Sequence, residues 1–262
     1  MKILLTGHAG FIGQHMLRAL SDHDVSTFEW GDTLPSIKQF DWVMHIGAIS
    51  STTERDVSKI MEQNYDFSTE LYRECRHWGV NFQFASSASV YGLTGQFVED
   101  GPVDPRTPYA WSKYMVERYI KKYPPVDSIA QCFRYFNVYG PEGEEHKGDQ
   151  ASPYYKFTQQ AISIGRIKVF EQSDKYQRDF IHVSEIVDYH LKFLDIPASG
   201  VYNLGTGKTK SFFDVAMEVG QKHPSIVGHI PMPEMLKSNY QEYTCADMSK
   251  TRAMLQKSHI IN

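Results

Sequence analysis

Three cysteines among 262 residues, Cys75, Cys132 and Cys245, are too few, too scattered and odd in number for a disulfide framework or a metal-ligand pattern. The chain is therefore expected to hold no metal and to work in a reducing cytoplasm. Apolar residues never run for the ~18 positions a membrane-spanning helix needs, and the apolar segment before Gly7 is too short for a signal-peptide core. Excess charge of one sign is also missing. The 27 Lys and Arg against 31 Asp and Glu leave a formal net charge of -4, so nothing in the balance points to nucleic acid or an anionic membrane as partner. No internal repeat, low-complexity tract or interdomain linker interrupts the sequence. Such a length suits one large α/β domain, alone or with an appendage.

What is present begins with a short apolar strand at Ile3 to Thr6. Gly7-His8-Ala9-Gly10-Phe11-Ile12-Gly13 follows it, then a helical pattern through Met16, Leu17 and Leu20. Strand, glycine turn and helix in that order form the context of a dinucleotide-binding motif. Gly7 permits the tight turn, Gly10 lets backbone approach a pyrophosphate, Gly13 allows close helix-to-sheet packing, and the helix N-terminus offers free N–H groups. A purely structural glycine turn is the alternative. The second strand is expected at Val25 to Phe28 with Glu29 at its end, followed by Trp30. An acid there hydrogen-bonds the adenosine ribose of NAD and disfavours a 2′-phosphate, although Lys38 and the histidines offer compensating charge, and a solvated loop carboxylate is an equal reading.

A third strand, Asp41 to Ile46, ends in Gly47, Ala48 and Ile49, small or apolar residues across which a cofactor can lie; His45 within it reads as a core histidine. Ser51-Thr52-Thr53-Glu54 has capping-box spacing for a long helix through Met61, Asn64, Tyr65, Leu71 and Tyr72. Val80 to Phe84 is a further strand, leaving through Ser86 and Ser87, where open α/β sheets bind ligands. Pro102, Pro105 and Pro108 deliver Tyr109-Ala110-Trp111-Ser112-Lys113. At this spacing Tyr109 and Lys113 share one helix face, and an ammonium near a phenol of pKa ~10 favours the phenolate. The polar segment Glu142 to Gln150 reads as a loop, Arg178 as a phosphate contact or an ion-pair partner, and Val201 to Leu204 as a strand before a helix from about Ser211.

Thr6-Gly7-x-x-Gly10-x-x-Gly13, Ser86-Ser87-x-x-Val90-Tyr91-Gly92 and Tyr109-x-x-x-Lys113, at these separations, resemble the extended short-chain dehydrogenase/reductase family. The resemblance implies an α/β fold: a Rossmann-type doubly wound parallel sheet, mainly residues 1–140, with a smaller C-terminal substrate-binding α/β lobe, mainly 141–262. Strands near 180 and 201 are expected to return to the first domain. It implies nucleotide-sugar chemistry, with Tyr109 as base, Ser87 hydrogen-bonding the substrate oxygen and Lys113 holding the cofactor ribose. Ser50 to Glu54, Arg134 to Pro141, His146-Lys147-Gly148, Arg178-Asp179-Phe180 and Tyr240-Gln241 resemble, more narrowly, the ADP-glyceromanno-heptose 6-epimerases, a similarity running from Lys2 to roughly Leu255.

That narrower resemblance implies Lys147 as a second acid/base. Cofactor contacts then fall on Gly7, Gly10, Phe11, Ile12, Gly13, Glu29, Trp30, Ile46, Gly47, Ala48, Ile49, Asn64, Tyr109, Lys113 and Val138. Contacts to the sugar nucleotide, an ADP-heptose or a UDP-sugar, fall on Ser50, Ser87, Asn137, Asp149, Lys156, Phe170, Arg178 and Tyr240. The resemblance favours NADP where Glu29 favours NAD, and implies a homo-oligomer. A UDP-sugar 4-epimerase, or a catalytically silent nucleotide-binding module, would keep much of the same pattern. Two departures stand out: the stretch between the second and third strands is short, trimming the adenosine pocket, and Asp149 and Lys156 replace the usual serine and histidine.

Overall fold

Short apolar runs alternate with amphipathic stretches along this chain, and they fold as six parallel strands interleaved with helices. The computed structural model describes residues 1–234 and 241–260, the side chains of 149 and 258–260 excepted. The strands β1 (Lys2–Thr6), β2 (Asp24–Phe28), β3 (Trp42–His45), β4 (Asn81–Ser87) and β5 (Ala130–Tyr135) are joined by β10 (Gly200–Leu204) in the order β2-β1-β3-β4-β5-β10. Every pairing in this sheet is parallel. All four residues of β3 and all six of β5 are buried, as strands covered on both faces must be.

Successive side chains of a strand point to opposite faces, and β1 shows the consequence. Ile3 and Leu5 pack with Met16 of α1 (Phe11–Ala19) and Val187 of α6 (Val183–Phe193). Leu4 packs with Tyr72 of α3 (Phe67–Trp78) and Val116 of α4 (Pro108–Lys122) on the other side. The sheet is thus wound on both faces, and the strand order reverses at β1. Between β2 and β3 lies only a 3₁₀ turn, Ile37–Gln39. With so short a connection β2 and β3 flank β1 directly, and the order runs 2-1-3-4-5 with β10 outside β5, the alternative doubly wound order to 3-2-1-4-5-6. Ligands bind such sheets at the switch point, outside the strand ends, which here is the β1/β3 edge.

A smaller lobe packs α5 (Pro153–Ile164) and α7 (Phe212–Lys222) on the parallel pair β7 (Arg166–Phe170) and β12 (Ile226–Ile230), around Phe157, Ile167, Val169, Val215 and Val219. Of the two strands expected to return, β10 joins the main sheet. The one near 180, β9 (Phe180–His182), pairs with β6 (Asn137–Tyr139) in a separate two-stranded ladder, with Ile181 packed against Phe133 and Tyr135 of β5. β8 (Gln177–Arg178), β11 (Lys210–Ser211) and β13 (Tyr243–Thr244) form a third small sheet, and α8 (Ser249–Ile260) follows. Buried Asp179 ties these pieces together, accepting N–H bonds from Thr206, Gly207 and Ala246.

Two local expectations are corrected. The Ser51–Glu54 capping box does not form: α2 (Val57–Ile60) starts on Asp56, whose carboxylate accepts the Lys59 N–H, while Glu54 accepts the Arg55 and Asp56 N–H groups. The segment read as a loop coils into 3₁₀ turns from Glu144 to Gln150. No helix among the described residues is long and apolar enough to cross a membrane.

Candidate active site

The glycine turn sits at the strand-order reversal, and its geometry shows why glycine is required. Gly7 has φ +76°, and a Cβ there would stand 2.3 Å from Gly47 Cα. A Cβ on Gly13 would stand 1.9 Å from the Gly7 carbonyl oxygen. Gly10 is the N-cap of α1 and supplies no side-chain cap, so the first-turn N–H groups have no partner within the helix. Gly10, Phe11, Ile12 and Gly13 all line a cleft of about 480 Å³. Unpaired N–H groups at the positive end of a helix, in a cradle that any Cβ would fill, fit a pyrophosphate. Gly13→Ala is expected to cost about 3 kcal/mol of stability through overpacking and to abolish dinucleotide binding, read by thermal melting and by cofactor titration.

Beside the glycine turn, where the sequence reading expects the adenosine, is a compartment of about 140 Å³ lined by Phe28, Glu29, Trp30, Gly47, Ala48, Ile49 and Phe67. Trp30 stands edge-on to Phe67 at 5.6 Å. Glu29 Oε1 accepts the Ala9 N–H at 2.7 Å and lies 3.1 Å from His8 Nδ1, so the acid is anchored to the glycine turn at the cleft wall. Lys38 sits over the Trp78 ring and is not among the residues lining either compartment. His45 is a core residue as expected: its nitrogens bond Thr6 Oγ1 and Ser68 Oγ, and burial, with Lys113 adding to it, pushes its pKa down to about 3. Asn64 is placed behind the cleft. It lies in a π-helical turn, Met61–Asp66, is fully buried, and clamps both backbone groups of Ile49 while reaching Ser112 Oγ. Its amide therefore shapes the loop after β3.

At the reacting end, Ser87 and Tyr109 face the same cleft. Ser87 caps the 3₁₀ turn Ala88–Tyr91 by accepting the Ser89 N–H at 3.1 Å, which leaves its own hydrogen to donate elsewhere. Tyr109 is in the first turn of α4, behind Pro108 and the N-cap Thr107, whose hydroxyl accepts the Ala110 N–H. Burial raises the Tyr109 phenol above its ordinary pKa, and the hydrogen bond with Ser87 draws it back. Lys113 follows on the same helix: its Nζ donates to the Ala85 carbonyl at 2.7 Å and lies 4.7 Å from the Phe84 ring and 5.9 Å from the Tyr109 ring. Lys113 is only 2% exposed, and burial pushes its pKa down to about 7 against the opposing pull of Glu117.

Lys147 lines the cleft from another element, together with His146, Gln150 and the start of α5. Its ammonium is 4.8 Å from the Phe11 ring and 3.4 Å from Glu144 Oε2. Ser50, Ile46, Asn137 and Val138 also face this cleft. Asn137 continues into an adjoining pocket of about 420 Å³ with Lys156, Phe170, Phe157, Tyr176 and Phe212, where the buried Ser173 hydroxyl has no hydrogen-bond partner among the described residues. Arg178 is not in either wall. Its guanidinium donates to the Gln177 and Gln241 carbonyls and lies against the Phe212 ring. The Asp149 side chain and Tyr240 lie outside the described residues.

Sequence reading missed several walls of the site. Thr52 donates its hydroxyl to Gln150 Oε1 at 3.0 Å, joining the loop after β3 to the 144–150 turns across the cleft. Tyr135 lines the cleft at the end of β5 and bonds His190 Nε2. Glu144, behind the cleft-lining Lys147, is fully buried. Tyr135 and Glu144 are ordinary polar residues in a strand end and an irregular segment, without a periodicity or spacing that marks them.

Among solved structures, the Helicobacter pylori ADP-L-glycero-D-manno-heptose-6-epimerase is 24% identical over 98% of this chain and 90% of its own, with a TM-score of 0.86. A UDP-N-acetylglucosamine 4-epimerase from Methanobrevibacter ruminantium is 21% identical over 97% of this chain and 91% of its own, with a TM-score of 0.86. The Thermus thermophilus UDP-glucose 4-epimerase, solved with NAD, is 25% identical over 97% and 92%, with a TM-score of 0.81. A family model for the NAD dependent epimerase/dehydratase family matches residues 3–205. With more than half of the chain matched and the cradle, Ser87 and Tyr109 in one cleft, this protein belongs to the NAD dependent epimerase/dehydratase family.

Proposed function

We propose that this chain is a nucleotide-sugar epimerase, and that its substrate is a sugar oxidised at an exocyclic carbon, as in ADP-D-glycero-D-manno-heptose. The observation that carries this reading is that Tyr109 and Lys147 line one cleft from different elements. Bound nicotinamide supplies a hydride acceptor that can return the same hydride. Tyr109, as phenolate, takes the hydroxyl proton while the carbon loses its hydride, and Ser87 donates to the oxygen in flight. Rotation about the exocyclic bond carries the carbonyl oxygen away from Tyr109. Reduction on the opposite face would need a proton delivered to the oxygen from a second place, and Lys147 would supply it. Proton exchange with water then resets the phenol and the amine. A ring carbon, as in a UDP-sugar 4-epimerase, needs Ser87 and Tyr109 but not Lys147.

The adjoining apolar pocket with Lys156, Phe170 and Phe212 suits a nucleotide whose base stacks on aromatic rings and whose diphosphate meets a lysine. For the cofactor we infer NAD, because a 2′-phosphate would enter beside the Glu29 carboxylate. Fluorescence titration is expected to show NAD bound roughly 10-fold tighter than NADP, a difference of about 1.4 kcal/mol, and Glu29→Gln to narrow it. Equal affinities in the unaltered protein would remove Glu29 as selector.

The deciding experiment is proton NMR of the purified protein with ADP-D-glycero-D-manno-heptose, UDP-glucose and UDP-glucuronate in parallel. Formation of the L-glycero epimer supports the exocyclic reading. Epimerisation of a UDP-sugar alone moves the protein to 4-epimerase chemistry. With added NAD, silence on all three would favour a nucleotide-binding module.

A further inference from the structure

We propose that Glu144 is a positioning residue that fixes Lys147 over the cleft and keeps it in its ammonium form. The inference rests on the reading of Lys147 as second acid/base. Two acids precede Lys147, and they are not equivalent. Glu145 is exposed, accepts the Gly143 N–H and faces His146 at 3.5 Å. Glu144 is 0% exposed, an expensive place for a carboxylate unless cations and donors surround it.

They do. Oε1 accepts the Gly140 N–H at 3.2 Å and the Ser152 hydroxyl at 2.7 Å, and Oε2 accepts the Ser152 N–H at 2.6 Å and meets Lys147 Nζ at 3.4 Å. Gly140 follows β6, and Ser152 is the N-cap of α5, so one carboxylate staples both ends of the turn that carries Lys147. A glutamine could not replace it fully. Three donors besides the ammonium converge on its two oxygens, whereas an amide has one oxygen and would present its own NH₂ to the others.

The charges around Lys147 oppose one another. Burial and the Lys156 ammonium on α5 disfavour a charged Lys147, and among the described residues Glu144 is the carboxylate that favours one. The nearby Phe11 ring adds a cation–π contact to the ammonium form. An acid that must protonate the returning oxygen has to be charged when the hydride arrives, and Glu144 is the residue that secures this.

Competitive acetylation of the whole protein with acetic anhydride across pH, read by mass spectrometry of the Lys147 peptide against exposed Lys192, measures Lys147 protonation with no need of substrate. Glu144→Gln is expected to move the Lys147 titration about one unit toward acid. With ADP-D-glycero-D-manno-heptose, the alkaline limb of kcat should move the same way, while formation of reduced nicotinamide, which uses Tyr109, is retained. An unmoved titration would overturn the proposal and leave the role of Lys147 standing. Full turnover by Lys147→Met would remove that role and the proposal with it. Should Glu144→Gln not fold, Glu144→Asp decides, since it keeps a carboxylate for Ser152 but withdraws it from Nζ. A shift of the same sign supports the inference, and an unchanged titration overturns it.

Discussion

Replacing Tyr109 with phenylalanine is expected to lower kcat by about 10³-fold and to leave dinucleotide affinity nearly unchanged. The reason lies in where the hydroxyl is. The cradle is built by Gly7, Gly10 and Gly13 at the β1 end of the cleft, and none of its N–H groups depends on the phenol. The reacting end has one hydroxyl positioned as proton acceptor, held by Ser87 and placed in the first turn of a 15-residue helix. The half-positive charge at that helix end favours the phenolate, as the Ser87 hydrogen bond does, and together they work against the burial that raises the phenol. Phenylalanine keeps the ring and loses one hydrogen bond, so stability should change by only about 1 kcal/mol. Steady-state kinetics with cofactor titration and melting on the same sample checks this. Activity within tenfold of the unaltered protein would show that another group takes the proton.

The residues of this site differ in how visible they were before any coordinates. Gly7 and Gly13 were legible because a strand and an amphipathic helix flank them, and the backbone contacts that forbid a Cβ follow from that packing. Glu29 was legible from its place at the second strand's end. Ser87 and Lys147 carried almost no local signal and were found through resemblance, since a serine after a strand and a lysine in a polar loop are ordinary. Asn64 and Lys113, expected at the cofactor, hold backbone in the structure: Ile49 for one, Ala85 for the other. Such partners lie 15 and 28 positions away, in no register that periodicity reveals. Glu144 was invisible for the same reason. In sequence it sits in Glu-Gly-Glu-Glu-His-Lys, which reads as solvated charge, and only the closure of Gly140 onto Ser152 makes it a buried carboxylate. The short connection between β2 and β3 was legible as a short segment, but its effect on strand order needed the sheet.

Lys113→Met is expected to abolish turnover and, at neutral pH, to make the protein more stable. Lys113 is buried beneath Phe84 with a pKa near 7, against an ordinary 10.5, so folding drives an ammonium into a site that disfavours its charge. A depression of that size corresponds to about 4 kcal/mol of destabilisation at pH 7. Loss of the Ala85 contact and of the ammonium over the ring returns part of it, and a net gain of about 2 kcal/mol, roughly 5 °C in Tm, is expected for the variant. The sign of the pH dependence is fixed by the direction of the shift. Because the folded pKa lies below the unfolded one, the unfolded chain holds more protons between them. The wild-type protein should therefore gain stability as pH rises from about 7 towards 10.5, at up to about 1.4 kcal/mol per unit from this group, and the loss on lowering pH should level off below about 7. The variant lacks that slope, so its advantage should be largest below pH 7, vanish at about pH 9 and reverse above it. Melting curves of both proteins from pH 6 to 10, without cofactor, measure the difference directly. A constant gap across that range would mean that Lys113 folds with an ordinary pKa. A converging gap, together with lost turnover, would mark Lys113 as a residue kept at a cost to the fold because the site requires a cation close beneath Tyr109.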